Sequence, residues 1–206
     1  MKKSLSILYK VIFLAITCWL LYLDLFVDNM EGLGVMGYFT TQSNVLVAVV
    51  MPFMLFWPQK GKTRAFVRGL ALCSILLTGI VYNFVLKHVW TDLATYSLLS
   101  FMMHVFTPLA FAFDWLLFDE PTQMRLSFVP LWCLYPFVYW VCSIIVGSQS
   151  RHFLYFFMDT QKGPAYVLIW LLVLLLVFCM IGAFVFLVDK GLGGKNKSVA
   201  PEPLNH

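Results

Sequence analysis

Two stretches of the chain gather side chains that could do chemistry. GYFTTQSNVLV, Gly37 to Val47, crowds Thr40, Thr41, Gln42, Ser43 and Asn44 at the mouth of an apolar run, and MMHVFTP sets His104 close to Thr107 and Pro108. On a helix, Thr40, Ser43 and Asn44 stand at i, i+3 and i+4 and share one face, whereas Thr41 and Gln42 point elsewhere. A hydroxyl facing an imidazole is what a nucleophile and its general base require. Threonine attacks poorly until a base takes its proton, and histidine is the side chain best matched to that task near neutral pH. The plainer use of the same residues is as hydrogen-bond glue between membrane helices, worth about 0.6–2 kcal/mol each. An ionisable ring within a bilayer has fewer such uses than a hydroxyl.

These residues must be positioned by membrane helices. Of the 206 residues 61% are hydrophobic and 12% charged, well below the roughly 25% charged residues of a soluble domain. Six apolar runs reach the roughly 20 residues that cross a bilayer: Leu8 to Phe26, Tyr38 to Trp57, Phe66 to Leu86, Tyr96 to Phe118, Leu126 to Val146 and Ala165 to Val188. The expected fold is an all-α integral membrane protein, a six-transmembrane-helix bundle over residues 1–190. A polar, Gly- and Pro-rich tail, 191–206, is expected to be a disordered cytoplasmic extension. The basic start and apolar middle of the first run resemble a signal peptide, but no small-x-small cleavage site follows, so it reads as a retained helix.

Cytoplasmic loops carry the excess of Lys and Arg. Eleven basic residues, among them Lys10, Arg64 and Arg68, fall at one end of the bundle, against Lys87, Arg151 and Lys162 at the other. Both termini are therefore expected in the cytoplasm, and the net charge of +4 expresses topology and attraction to anionic lipid, with no nucleic-acid partner implied. The five cysteines fall within the runs and lack CxxC spacing, so neither a disulfide framework nor a zinc site is expected. With only His88, His104 and His152 apart from the tail's His206, and no HExxH motif, a metal-dependent hydrolase is the weaker enzyme reading, and no cofactor is expected.

The polar chemistry gathers towards the outer side: the Thr40 cluster, Asn83 and Lys87 at the end of the third run, and His104 with Thr107. On nominal boundaries, at about 1.5 Å per residue, Thr40 lies about 3 Å inside the outer surface and His104 about 12 Å. Their depths match if the second helix begins near Gly34. The last outer loop, GSQSRHFLYFFMDTQKGP, is too aromatic for a spacer, and Tyr155, Phe156 and Phe157 suggest a segment in the interface or folded over the bundle mouth.

YFTTQSNVLV, VYNFVL, MMHVFTPLAFAFDWLLF, LYPFVYW and FLYFFMDTQKGP together resemble a bacterial family of small six-transmembrane proteins. That family is similar to the eukaryotic androgen-induced and androgen-dependent TFPI-regulating proteins, six-helix transmembrane threonine hydrolases of fatty acid esters of hydroxy fatty acids. The resemblance covers nearly the whole chain except the tail. It implies a nucleophile at Thr40, in YFT, and a catalytic histidine at His104, in MHVFTP; an acidic position of the last outer loop matches Asp159. Here the helix around the threonine is more polar than in the eukaryotic members, so Thr41 or Ser43 could add a hydroxyl.

The resulting expectation is a membrane-embedded lipid ester hydrolase of a bacterial inner membrane, its site facing outward and its substrate a fatty acyl ester. Asn44, Asn83, Ser43 or backbone N–H groups of the second helix would hold the oxyanion. Asp159 or His152 would orient His104 or gate the site. The alternative is a non-catalytic lipid-binding or small-molecule transport protein, against which stand the absence of an internal repeat and of a charge near mid-bilayer.

Overall fold

The computed structural model describes residues 2–27, 32–56, 61–89, 97–119 and 124–198. Among them are six helices long and apolar enough to cross a membrane: α1 (Lys2–Phe26), α2 (Phe39–Phe56), α3 (Lys62–Leu86), α4 (Leu98–Phe118), α5 (Phe128–Ser150) and α6 (Pro164–Ser198). Their outward faces carry Phe56, Leu98 and Phe84, all more than three-quarters exposed. So much bare hydrocarbon suits lipid and not water.

The central helix is α3, which packs against α2, α4, α5 and α6, while α1 lies against α2 and α4. Small residues allow this, since in a membrane helices associate by close packing. Gly69 accepts the Trp132 ring of α5: a Cβ there would sit 2.1 Å from Trp132 Cζ2. Trp132 is fully buried and its Nε1–H donates to Phe66 O at 3.0 Å, so the ring has nowhere to retreat. Gly69→Ala should therefore lower stability by about 1–3 kcal/mol by overpacking, seen as a lower melting temperature in detergent. Gly191→Ala, within α6 and with nothing within 4 Å of an added Cβ, should instead leave it the same or slightly higher, since alanine is the better helix former.

The end of the bundle that holds the start of α1 and α3 and the finish of α4 is closed by charge. Lys10 of α1 contacts Asp114 and, at 3.5 Å, Asp119; Arg68 reaches Asp114 at 2.7 Å and Asp119 at 3.2 Å; Arg64 reaches Asp119 at 3.1 Å. All five side chains are 3% exposed or less. The Arg68 guanidinium also lies over the Phe111 ring, 4.1 Å from its centroid. Lys10, Arg64 and Arg68, read from sequence as charges of a basic face, are instead buried in a network that ties α1, α3 and α4 together. The reason is that α3 begins at Lys62, before its apolar run, because backbone hydrogen bonding carries a helix through any residue whose charge finds a partner.

Two other boundaries differ from the sequence reading. Helix α2 starts at Phe39, preceded by a 3-10 turn over Gly32–Gly37. Helix α6 runs on to Ser198, so the segment expected to be a disordered tail continues the helix that far; 199–206 lie outside the described residues. Extending an existing helix costs little per residue compared with starting one.

The loop between α5 and α6 folds back over the end of the bundle opposite the charge network. Tyr155, Phe157 and Met158 are buried. Phe157 stacks on Trp140 of α5 at 5.7 Å and on Tyr155 at 5.0 Å, and packs on Trp170 of α6 at 5.5 Å.

Candidate active site

At the end of the bundle beneath that loop, the first turn of α2 meets a distortion in α4. Pro108 lacks an N–H, so the carbonyl of His104, four residues earlier, loses its usual α-helical donor. Here α4 widens into a π turn over Met102–Phe106, closed by the Thr107 N–H donating to Met102 O. The freed His104 carbonyl accepts from Asn83 Nδ2 at 3.4 Å. It lies against Gly79 of α3, where a Cβ would stand 3.1 Å from it. Helix α3 ends in a π turn of its own, Tyr82–Leu86, with Lys87 N–H donating to Tyr82 O at 2.9 Å. Inserted π turns of this kind concentrate at functional sites. These two aim the His104 side chain across the bundle towards α2.

Thr40 Oγ1 and His104 Nε2 are 3.0 Å apart. The direction of that bond follows from the other ring nitrogen. His104 Nδ1 lies 2.8 Å from the Ser100 carbonyl oxygen, which can only accept, so Nδ1 bears the proton. Nε2 then holds a lone pair and accepts from the Thr40 hydroxyl. This is the tautomer a general base needs, and in this site a main-chain carbonyl sets it. The ring is also held flat against Tyr82, centroids 3.8 Å apart and planes 20° from parallel. Ser100 Oγ donates to the Tyr82 hydroxyl at 2.9 Å.

The depth mismatch between Thr40 and His104 disappears here. Helix α2 does not begin near Gly34 but at Phe39, and Thr40 and His104 meet because the ends of α2 and α4, at Phe39 and Leu98, are staggered.

The remaining polar residues of α2 act as props. Ser43 Oγ bridges Thr40 O at 2.9 Å and Thr78 Oγ1 of α3 at 2.7 Å. Asn44 Nδ2 donates to Thr40 O at 2.9 Å and Met103 O at 3.4 Å, and Asn83 Nδ2 donates to Gly79 O at 2.8 Å as well as to His104 O. The amide donors of Asn44 and Asn83, expected at an oxyanion, are thus committed to main-chain carbonyls that hold the two π turns and α2 in place. On the faces away from His104, Thr41 Oγ1 donates to Asp24 Oδ2 of α1 at 2.8 Å, and Gln42 Nε2 donates to Met36 O at 2.8 Å.

The candidates from the loop between α5 and α6 are placed elsewhere. Asp159 Oδ1 accepts from Gln161 N–H at 2.9 Å and caps a short turn, because a carboxylate at that position satisfies an otherwise orphaned N–H. His152 is exposed beside a separate cavity of about 400 Å³ that it shares with Gln42, Tyr135 and Ser143. The Ser100 carbonyl orients His104 in place of either.

Thr40 lines a narrow cavity of about 50 Å³. Its walls are almost wholly apolar: Phe39, Leu77, Val81 and Leu86 beside Thr40, Tyr155 and Phe157 from the loop, and Leu171, Leu174 and Leu175 of α6. Those α6 leucines are only partly buried, so the cavity runs from the threonine hydroxyl towards the lipid-facing side of the bundle.

Sequence reasoning did not single out Tyr82, Ser100, Gly79 or Tyr139 at this site, and took Tyr155 only as part of an aromatic loop. Pro108 was the available signal, since a proline four residues after a histidine frees that histidine's carbonyl. Among the described residues no group of three or more His, Cys, Asp or Glu could hold a metal ion.

No family model, curated protein or solved structure matches the chain.

Proposed function

We propose that the protein is an integral-membrane ester hydrolase with Thr40 as nucleophile and His104 as base, acting on fatty acid esters of hydroxy fatty acids or related lipid esters. The observation that carries this reading is the 3.0 Å contact from Thr40 Oγ1 to His104 Nε2, with the proton on Nδ1 assigned by Ser100 O. In the first half-reaction, His104 Nε2 takes the Thr40 hydroxyl proton as Oγ1 attacks the ester carbonyl carbon. The imidazolium then returns that proton to the departing alkoxide, leaving an acyl-threonine and a free alcohol. In the second, water gives a proton to Nε2 and its oxygen attacks the acyl carbon. The acid leaves, and the proton returns to Oγ1.

The ester carbonyl would lie at Thr40 and its acyl chain would run along the apolar walls towards the lipid side, with the loop between α5 and α6 and α6 giving way to admit it, since about 50 Å³ holds no long chain. Of the first-turn N–H groups of α2, those of Phe39 and Gln42 donate to the Tyr155 hydroxyl and to Tyr38 O, so the charge that develops there would draw on the N–H groups of Thr40 and Thr41. Such donors stabilise an oxyanion best when they are fixed beforehand.

The same reading puts the site at the outward face of a bacterial inner membrane, with both termini cytoplasmic. Lys10, Arg64 and Arg68 are spent in the buried network, yet eight basic residues at that end still exceed the three at the other, as cytoplasmic flanks do. A non-catalytic lipid-binding protein would use the same cavity but would give the fixed histidine tautomer no purpose.

The test is hydrolysis of lipid esters by the purified protein in detergent, beside Thr40→Ala. Release of fatty acid by the parent and none by an equally folded Thr40→Ala supports the hydrolase. Inert parent protein that still retains lipid would favour lipid binding.

A further inference from the structure

This inference rests on the hydrolase reading, in which His104 becomes positively charged each time Nε2 takes a proton. We propose that Tyr82 of α3 is the positioning residue for His104, holding the imidazole in place and stabilising the imidazolium through the face of its ring.

The charge needs a partner. In the Ser-His-Asp arrangement a buried carboxylate stabilises it. None of the described carboxylates is placed to do so here: Asp24 accepts from Thr41 on another face of α2, Asp159 caps its own turn, Asp114 and Asp119 lie in the network at the far end of the bundle, and Asp189 accepts from the Met124 N–H. His104 Nδ1 meets instead the neutral Ser100 carbonyl.

The group that covers the imidazole is Tyr82. The two ring centroids are 3.8 Å apart and the planes 20° from parallel. Neutral aromatic rings prefer an offset or edge-on arrangement at about 4.5–7 Å, because their negative π faces repel. A cation gains where the neutral pair loses, since positive charge within about 6 Å of a ring centroid is drawn to the ring face. The close, near-parallel stack is therefore the geometry that serves the charged ring of the transition state.

Ser100 fixes both rings at once. Its carbonyl accepts from His104 Nδ1 at 2.8 Å, and its hydroxyl donates to the Tyr82 hydroxyl at 2.9 Å. Tyr82 is buried and opens the π turn that ends α3, so neither ring slides freely. It is not among the residues that line the cavity at Thr40, so its effect belongs to kcat and not to KM.

Tyr82→Leu, which removes the ring, should lower kcat for ethyl octanoate by about 10–30-fold with KM within about twofold. The decisive comparison is Tyr82→Phe beside phenylalanine at 82 carrying two and then three ring fluorines. Fluorine withdraws electron density from the ring face while nearly keeping its shape. Attraction for a cation then weakens, and so does the repulsion between neutral rings. Across the series kcat should fall stepwise, by about tenfold in all, while the melting temperature in detergent stays level or rises. A merely structural contact would not move the two in opposite senses. If the phenylalanine variants do not fold, 3-fluorotyrosine at 82, which keeps the hydroxyl for Ser100, should turn over more slowly than the parent at the same melting temperature. Parent-level kcat in Tyr82→Leu or with 3-fluorotyrosine, a kcat that is flat across the fluorine series, or one that falls only as the melting temperature falls would overturn the proposal. With the parent active and Thr40→Ala dead, those results remove Tyr82 alone; an inert parent removes the hydrolase reading and this inference with it.

Discussion

Replacing His104 by alanine is expected to lower ester turnover by about two to four orders of magnitude, the usual range for a positioned general base, while the protein folds as before. The Thr40 hydroxyl would lose its acceptor at 3.0 Å, and among the described residues lining the cavity there is no other basic side chain to replace it. The fold should survive because the π turn in α4 does not depend on the imidazole. Pro108 frees the His104 carbonyl, and Asn83 and Gly79 receive it; all of this is main chain at position 104. What the ring itself gives the fold is its stack on Tyr82 and one bond to Ser100 O. If His104 were only interhelical glue, its removal would lower the melting temperature modestly and any activity would scale with folded protein. Turnover per folded molecule, set beside a melting curve, separates the two.

The second large effect is on stability and lies at the other end of the bundle. Asp114→Asn should cost about 3–5 kcal/mol, as removing one partner of a buried ion pair does. Asp114 answers both Lys10 and Arg68. Without it, three buried cations would face the single carboxylate of Asp119. Adding Lys10→Met to that variant restores the original charge imbalance. It should recover a substantial part of the loss, a coupling that a double-mutant cycle measures directly. Denaturant titration in detergent reads it, and turnover per folded molecule should hardly change, since the network and Thr40 lie at opposite ends of the helices.

The six spans were legible because a bilayer imposes a length and an apolarity that few other structures share. Their ends were less so. A count of apolar residues starts the third run at Phe66, whereas the helix begins at Lys62 because Arg64 and Arg68 meet Asp114 of α4 and Asp119 just beyond its end. Pairing across some fifty residues of sequence leaves no local trace. The face that holds Thr40, Ser43 and Asn44 could be read from spacing, and so could the separate directions of Thr41 and Gln42.

What spacing could not convey was depth, because the ends of α2 and α4 are staggered where they converge. Nor could it show how the polar side chains divide between chemistry and scaffolding. Asn44 and Asn83 looked like donors awaiting a ligand, and they are instead the props for carbonyls freed by helix distortion. Tyr155 belongs to a loop whose aromatic content suggested a segment in the interface or folded over the bundle mouth, but only the packed structure sets it in the same cavity wall as Thr40.

The most direct test of the Thr40–His104 account is covalent. The detergent-purified protein is exposed to an alkyl fluorophosphonate and digested, and the modified residue is located by peptide mass spectrometry, in parallel with His104→Ala. The account predicts one phosphonyl group, on Thr40, formed in the parent and abolished in a folded His104→Ala. An unmodified Thr40 in the folded parent, or an adduct that forms equally well without His104, would contradict it.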